Sequence, residues 1–102
     1  MPITPIKTLV AEAKAQIESL DIDAAQRLAE SGEILLVDIR DVRELERDGR
    51  IPGAFHAPRG MLEFWIDPSS PYHKTALATD KKMVFFCASA WRSALAVKAL
   101  QD

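Results

Sequence analysis

The sequence predicts an α/β domain with a mainly parallel sheet flanked by helices. Two short apolar runs, Ile34-Leu35-Leu36-Val37 and Met83-Val84-Phe85-Phe86, are too brief for helices and end at Asp38 and Cys87. Because they are apolar throughout rather than alternating, they read as strands buried on both faces. Segments of helical spacing precede, separate and follow them, as parallel strands require, since each return to the same end of a sheet needs a crossover. Ligands gather beyond the carboxyl ends of such strands, where Asp38 and Cys87 both stand.

Thr4 and Pro5 signal a first helix, with Ile6, Leu9, Val10, Ala13, Ile17 and Leu20 in one apolar stripe. It is expected to pack on the domain's flank, the alternative being an amphipathic arm for a partner chain. Asp23, three residues before Gln26, suggests a cap for a second helix that Gly32 closes. After the first strand, Asp41 to Arg47 predicts a short helix with Val42 and Leu45 on one side, ended by Gly49, and Ile51-Pro52-Gly53-Ala54 predicts a turn. Phe55 to Ala57 fits a brief strand, Gly60 to Ile66 one or two helical turns, and Asp67 to Lys74 a loop. From Arg92, the residues Ala94, Leu95, Val97, Ala99 and Leu100 predict a final helix, leaving Cys87 to Trp91 as the strand-to-helix connection.

A chain of 102 residues makes one domain, and 48% hydrophobic with 27% charged residues is an ordinary globular composition. A formal net charge of −2, with acids and bases interspersed, argues against nucleic acid as a partner. No apolar stretch approaches the roughly 20 residues of a membrane helix, and Met1 to Lys7 lacks a signal-peptide core, so no membrane contact and a cytoplasmic location are expected. The single cysteine excludes an intramolecular disulfide and a multi-thiolate zinc site, and His56 and His73 make a poor metal pair.

A cysteine at a strand end, followed by a tight loop and a helix start, meets backbone N–H groups and the helix dipole, which favour its thiolate. Arg92, near the helix start, adds a cation that can hold an anionic substrate. Together they read as an anion cradle with a nucleophile at its floor. The plainer reading, a buried core thiol and a surface arginine, is outweighed by the strand-end position next to polar Ser89.

The stretch Leu35 to Pro58, L-L-V-D-I-R-D-V-R-E-L-E-R-D-G-R-I-P-G-A-F-H-A-P, and the loop Phe86 to Ala94, F-C-A-S-A-W-R-S-A, resemble the two signatures of the rhodanese-homology, or rhodanese-like, sulfurtransferase domain. The match runs from about Ser19 to the end, with residues 1–18 a helical extension outside the domain and residues 19–102 the domain itself. The resemblance implies that Cys87 attacks the outer sulfur of a donor such as thiosulfate, becomes a persulfide, and passes that sulfur to a thiol or protein acceptor. It implies that Arg92 steers the donor, that the N–H groups of Ala88, Ser89, Ala90, Trp91 and Arg92 and the Ser89 hydroxyl cradle the added sulfur, and that no metal or organic cofactor takes part. Related cysteine phosphatases place five residues between cysteine and arginine, and this loop has four, so sulfur is favoured over phosphate.

Where the resembled family has glycine at the fourth loop position this sequence has Ala90, and a left-handed backbone there would cost about 1 kcal/mol. The resemblance also implies a further strand and helix after Asp102. The domain is therefore expected to be cut short, with an oligomer, a domain swap or a protein partner covering the edge of the Cys87 strand. Arg50 replaces a histidine of the family pattern and reads as solvated surface.

Asp38 and Arg40 are candidates to orient the loop, and a structural ion pair with Glu44 or Asp41 is an equal alternative. His56 and His73 read as satisfied polar residues, since a thiolate attack needs no general base. Arg59, Phe64, Trp65 and Tyr72 lie between the signatures, where substrate-facing loops vary. Trp91 either walls the pocket, meets an acceptor or enters the core. Three functions are in play: a small sulfurtransferase, a catalytically silent binding module, and a cysteine phosphatase or arsenate reductase.

Overall fold

The computed structural model describes residues 2–88 and 90–102. Helix α1 (Ile6–Gln16) starts behind Pro5, whose φ of −56° suits a helix entry, and stops before Ile17, which is extended at φ −119°. The stripe predicted to reach Leu20 therefore ends earlier, and the buried residues of α1 are Val10 and Ala13.

Helix α2 (Ile22–Glu30) is capped by Asp21, whose Oδ1 accepts the Ala24 N–H at 2.8 Å. Asp23 lies in the first turn instead, where its charge complements the helix dipole. Gly32 takes φ +82° just past the helix, which lets the Glu33 N–H reach back to the Leu28 carbonyl at 3.0 Å.

Three parallel strands, β1 (Ile34–Asp38), β2 (Phe55–His56) and β3 (Lys82–Phe86), lie in the order β2-β1-β3. The register aligns Ile34 with Lys82 and Asp38 with Phe86, so β1 and β3 end level and Cys87 emerges one residue beyond. Strand β1 is nearly buried throughout, as its apolar run predicts. Strand β3 is not: Lys82 is exposed and Met83 to Phe86 are half-buried, because among the described residues β3 pairs only with β1.

The period-two geometry of the strands divides the core between the two faces of the sheet. Leu35, Val37, Met83 and Phe85 pack with Leu62, Leu77 and Ala96 on one face. On the other, Ile34, Leu36, Val84 and Phe86 meet Ala25 and Leu28 of α2 and Ile51 of the turn.

Helix α3 (Val42–Asp48) opens with a reciprocal capping box between Asp41 and Glu44 and closes at Gly49, φ +89°. Of its two predicted apolar residues only Leu45 is buried, and Val42 is exposed to solvent. A 3₁₀ turn at Arg59–Met61 leads into α4 (Leu62–Ile66). The 67–74 segment forms turns as expected, followed by a 3₁₀ turn at Thr75–Leu77 that buries Leu77.

Helix α5 (Trp91–Gln101) packs against both β3 and α1. The Gln101 side chain donates to the Gln16 carbonyl at 3.1 Å, and Lys82 meets Glu18 at 2.6 Å, so the end of α1 and the residues after it are tied to α5 and β3. No helix among the described residues is long and apolar enough to cross a membrane.

Candidate active site

Cys87 leaves the end of β3 half-buried, its flank packed on the core cluster around Val37 and Leu62. Three residues later Ala90 takes φ +64°, ψ 7°, the left-handed conformation, immediately before α5. The position that usually carries glycine in the resembled family thus has the backbone that favours glycine, with a methyl group on it.

Among the described residues no side chain caps α5, and the first-turn amides of a helix point out beyond its N-terminus. A thiolate or anion in front of that end meets N–H donors and the positive end of the helix dipole. Ser93 contributes from within the helix: it is buried, and Cys87 Sγ donates to its Oγ at 3.6 Å. Sequence reasoning missed Ser93; the available signal was a hydroxyl inside the apolar run of the last helix.

Arg92 stands at the second helical position, and its Nη1 and Nη2 donate to Oε1 and Oε2 of Glu44 at 2.5 and 2.9 Å. Glu44 also accepts the Asp41 N–H at 3.2 Å as part of its capping box. Its carboxyl is held down to about 2, first by the Arg92 hydrogen bonds and then by the Asp41 N–H, against the opposing effect of partial burial. Arg92 is correspondingly raised, chiefly by Glu44, with a further contribution from Cys87 beside it. Glu44 is thus a partner of the loop arginine and not of Asp38 or Arg40, the alternative that the sequence suggested.

Asp38 and Arg40 pair with each other. Asp38 is 2% exposed, and Arg40 grips it through Nε to Oδ1 at 3.0 Å and Nη2 to Oδ2 at 2.8 Å, then reaches the Gly49 carbonyl at 3.0 Å. Among the described residues neither side chain bonds to the Cys87 loop. The pair fixes the segment that follows β1, and the Asp38 hydrogen bond raises Arg40. His56 donates through Nε2 to the Arg40 carbonyl at 2.8 Å and His73 through Nδ1 to the Trp65 carbonyl at 2.9 Å.

Trp91 is 40% exposed at the loop edge, outside the core, and Ala88 is also exposed; Ser89 lies outside the described residues. Phe64 and Tyr72 form an exposed edge-to-face pair at 6.3 Å, while Trp65 packs on Phe55 at 6.5 Å under the Lys74 ammonium. Arg59 pairs with Glu63 at 2.5 Å.

A cavity of about 480 Å³ opens in front of Cys87, with Arg40, Arg50, Ala90 and Ser93 also on its wall. Among the described residues no group of three or more His, Cys, Asp or Glu could hold a metal. The arrangement offers a nucleophilic sulfur, a helix N-terminus and a hydroxyl, which suits attack on an electrophilic atom whose leaving group departs as an anion.

The family model of the rhodanese-like domain matches residues 21–102, beginning just after α1. A solved structure from Rhodopseudomonas palustris CGA009, described as a protein of unknown function and possible tyrosine phosphatase, is similar over the whole chain. It shares 54% identity at a TM-score of 0.89, with 100% of this chain and 81% of that one covered. No match was found among curated proteins.

Proposed function

Because the chain belongs to the rhodanese-like domain family, we propose that it is a sulfurtransferase working through a persulfide on Cys87. The donor is a small anion with a sulfane sulfur, such as thiosulfate, and the acceptor is a thiol or another thiophile. The observation that carries this reading is the position of Cys87, at a strand end and before the N-terminus of α5, with a cavity in front of it.

The Cys87 thiolate attacks the outer sulfur of the donor, the sulfur–sulfur bond breaks, and sulfite leaves with the electron pair. The terminal sulfur of the resulting persulfide is an anion, which the N–H groups at the helix start stabilise. The acceptor then takes that sulfur and returns the thiolate. Neither half-reaction needs a proton from a general acid, in keeping with His56 and His73 being occupied by backbone carbonyls.

Intact mass after incubation with thiosulfate tests the reading. One added sulfur is expected on the wild-type chain and none on Cys87→Ser; a wild-type chain that gains no sulfur overturns it.

The description of the Rhodopseudomonas palustris relative supports phosphate-ester hydrolysis as the second reading. Four residues between Cys87 and Arg92 make a tighter loop than the five of cysteine phosphatases, and both Nη atoms of Arg92 are engaged by Glu44 rather than open to a tetrahedral phosphate. Hydrolysis of an aryl phosphate that disappears in Cys87→Ser would establish this second reading.

A further inference from the structure

The charges around the cavity are unevenly available. Arg40 is locked by Asp38, and Asp48 is paired with Arg47 at 3.0 Å. Arg92 stands beside the thiol, yet both of its Nη atoms are given to Glu44. Arg50 is the cation on the cavity wall that has no carboxylate partner among the described residues.

One uncompensated guanidinium matches one negative charge. A second charge on the donor would have to displace Glu44 from a two-bond grip on Arg92, and that carboxylate is itself held by the cap of α3.

We propose that the site selects sulfane donors carrying a single negative charge over dianionic ones, and that Glu44 is the positioning residue that sets this selection by occupying Arg92. The proposal rests on the sulfurtransferase reading and names its donor class: thiosulfonates and persulfide anions in preference to thiosulfate. For a thiosulfonate, the Cys87 thiolate bonds to the terminal sulfur, the bond from that sulfur to the sulfonyl sulfur breaks, and sulfinate departs with the electron pair. The enzyme keeps one sulfur and one negative charge, and no proton moves.

Methanethiosulfonate and thiosulfate test this directly, because they deliver the same sulfur from similar tetrahedral heads that differ by one charge. Their kcat/KM values are measured at constant ionic strength, with cyanide as acceptor, on the wild-type chain and on Glu44→Gln. In parallel, Cys87 is alkylated with iodoacetate and with iodoacetamide, an anionic and a neutral reagent whose rate ratio needs no sulfur transfer.

The wild type is expected to favour methanethiosulfonate. Glu44→Gln should move the donor ratio toward thiosulfate, and raise the iodoacetate-to-iodoacetamide ratio, by about fivefold each, the upper range for one partly exposed charge pair. Unchanged ratios in Glu44→Gln overturn the proposal, as does a wild type that favours thiosulfate. If neither donor gives turnover while the alkylation ratio still rises, the sulfurtransferase reading fails and the control of site charge by Glu44 is upheld.

Arg50→Gln is a second variant at an exposed position, independent of the folding of Glu44→Gln. It should lower methanethiosulfonate turnover and the iodoacetate-to-iodoacetamide ratio by about the same factor. No change in either would also overturn the proposal.

Discussion

Arg92 of α5 and Glu44 of α3 face each other through two hydrogen bonds, Nη1 to Oε1 at 2.5 Å and Nη2 to Oε2 at 2.9 Å. The contact ties the helix after β3 to the helix after β1, although the two residues are far apart in sequence. It joins the helices that follow the two strand ends carrying Cys87 and Asp38. A planar guanidinium suits this task better than an ammonium would, because both carboxylate oxygens are met at once.

That contact predicts an acid limb in the stability profile. The Glu44 carboxyl titrates near 2 in the folded chain and at its ordinary 4.5 when unfolded, so between these values the unfolded state binds more protons. The stability contributed by the pair is fully present above pH 4.5 and is lost as the pH falls toward 2. Urea unfolding midpoints measured from neutral pH down to pH 2 should fall across this window, and Glu44→Gln should flatten that part of the curve. A variant with the same acid limb as wild type would show that the titration belongs elsewhere.

Ala90→Gly is expected to stabilise the chain. At φ +64° the Ala90 methyl costs about 1 kcal/mol relative to glycine, more than the extra freedom glycine brings to the unfolded chain. The net gain is about 0.5 kcal/mol, which for a domain of this size corresponds to a rise in Tm of roughly 2–4 °C. Calorimetry on the two proteins decides it, and a lower Tm in the variant would mean that the methyl makes compensating contacts. Sulfur loading at Cys87 should persist, because glycine adopts the same backbone.

How much of this was legible beforehand depends on the range of the interaction. The runs ending at Asp38 and Cys87 mark the two paired strand ends, because an apolar run between turn signals is a local pattern. Asp41 and Glu44 lie three residues apart, so their capping box was within reach of the same kind of reading, while the choice of Asp21 over Asp23 for α2 shifts a boundary by a turn's fraction. The partner of Arg92 was not legible: Glu44 competes on paper with Asp41 and Asp38 for every nearby arginine, and only the tertiary fold, which brings the start of α5 within reach of Glu44, chooses. The apolar residues of β3 predict burial on both faces, but burial also needs neighbours, and among the described residues pairing on one side leaves the strand half-covered. The left-handed turn at Ala90 ran against the residue's own preference, as happens where a loop is shaped for chemistry.

Ser93→Ala is expected to slow the reactions of Cys87. The Ser93 hydroxyl lies 3.6 Å from the half-buried sulfur and is itself buried, so on ionisation it can turn and donate to the thiolate. Hydrogen bonds to charged groups are worth enough that alkylation by iodoacetamide at neutral pH should slow by about tenfold. Alanine removes one oxygen and leaves the backbone of α5 intact, so the circular dichroism spectrum should be unchanged. An unaltered alkylation rate would assign Ser93 a purely packing role.

Asp38→Asn should destabilise the fold far more than it alters the chemistry. The Asp38 side chain is 3% exposed and that of Arg40 12%, so the pair sits almost wholly out of water at the end of β1. Removing one member of a buried ion pair leaves the other charge uncompensated, a loss of about 3–5 kcal/mol. Asparagine keeps the volume and one acceptor, which places this variant at the lower end of that range. The Arg40 guanidinium would still reach the Gly49 carbonyl, and the Asp38 backbone would still accept the Ala57 N–H at 2.9 Å, so the strand itself should survive. Replacing both members, Asp38→Asn with Arg40→Met, should recover part of the loss, because no buried charge then lacks a partner. Urea denaturation of the two single variants and the double variant measures the coupling. If the two single losses simply sum to the loss of the double variant, the pair is solvated in solution, and Asp38 and Arg40 do not brace the segment beside the Cys87 loop.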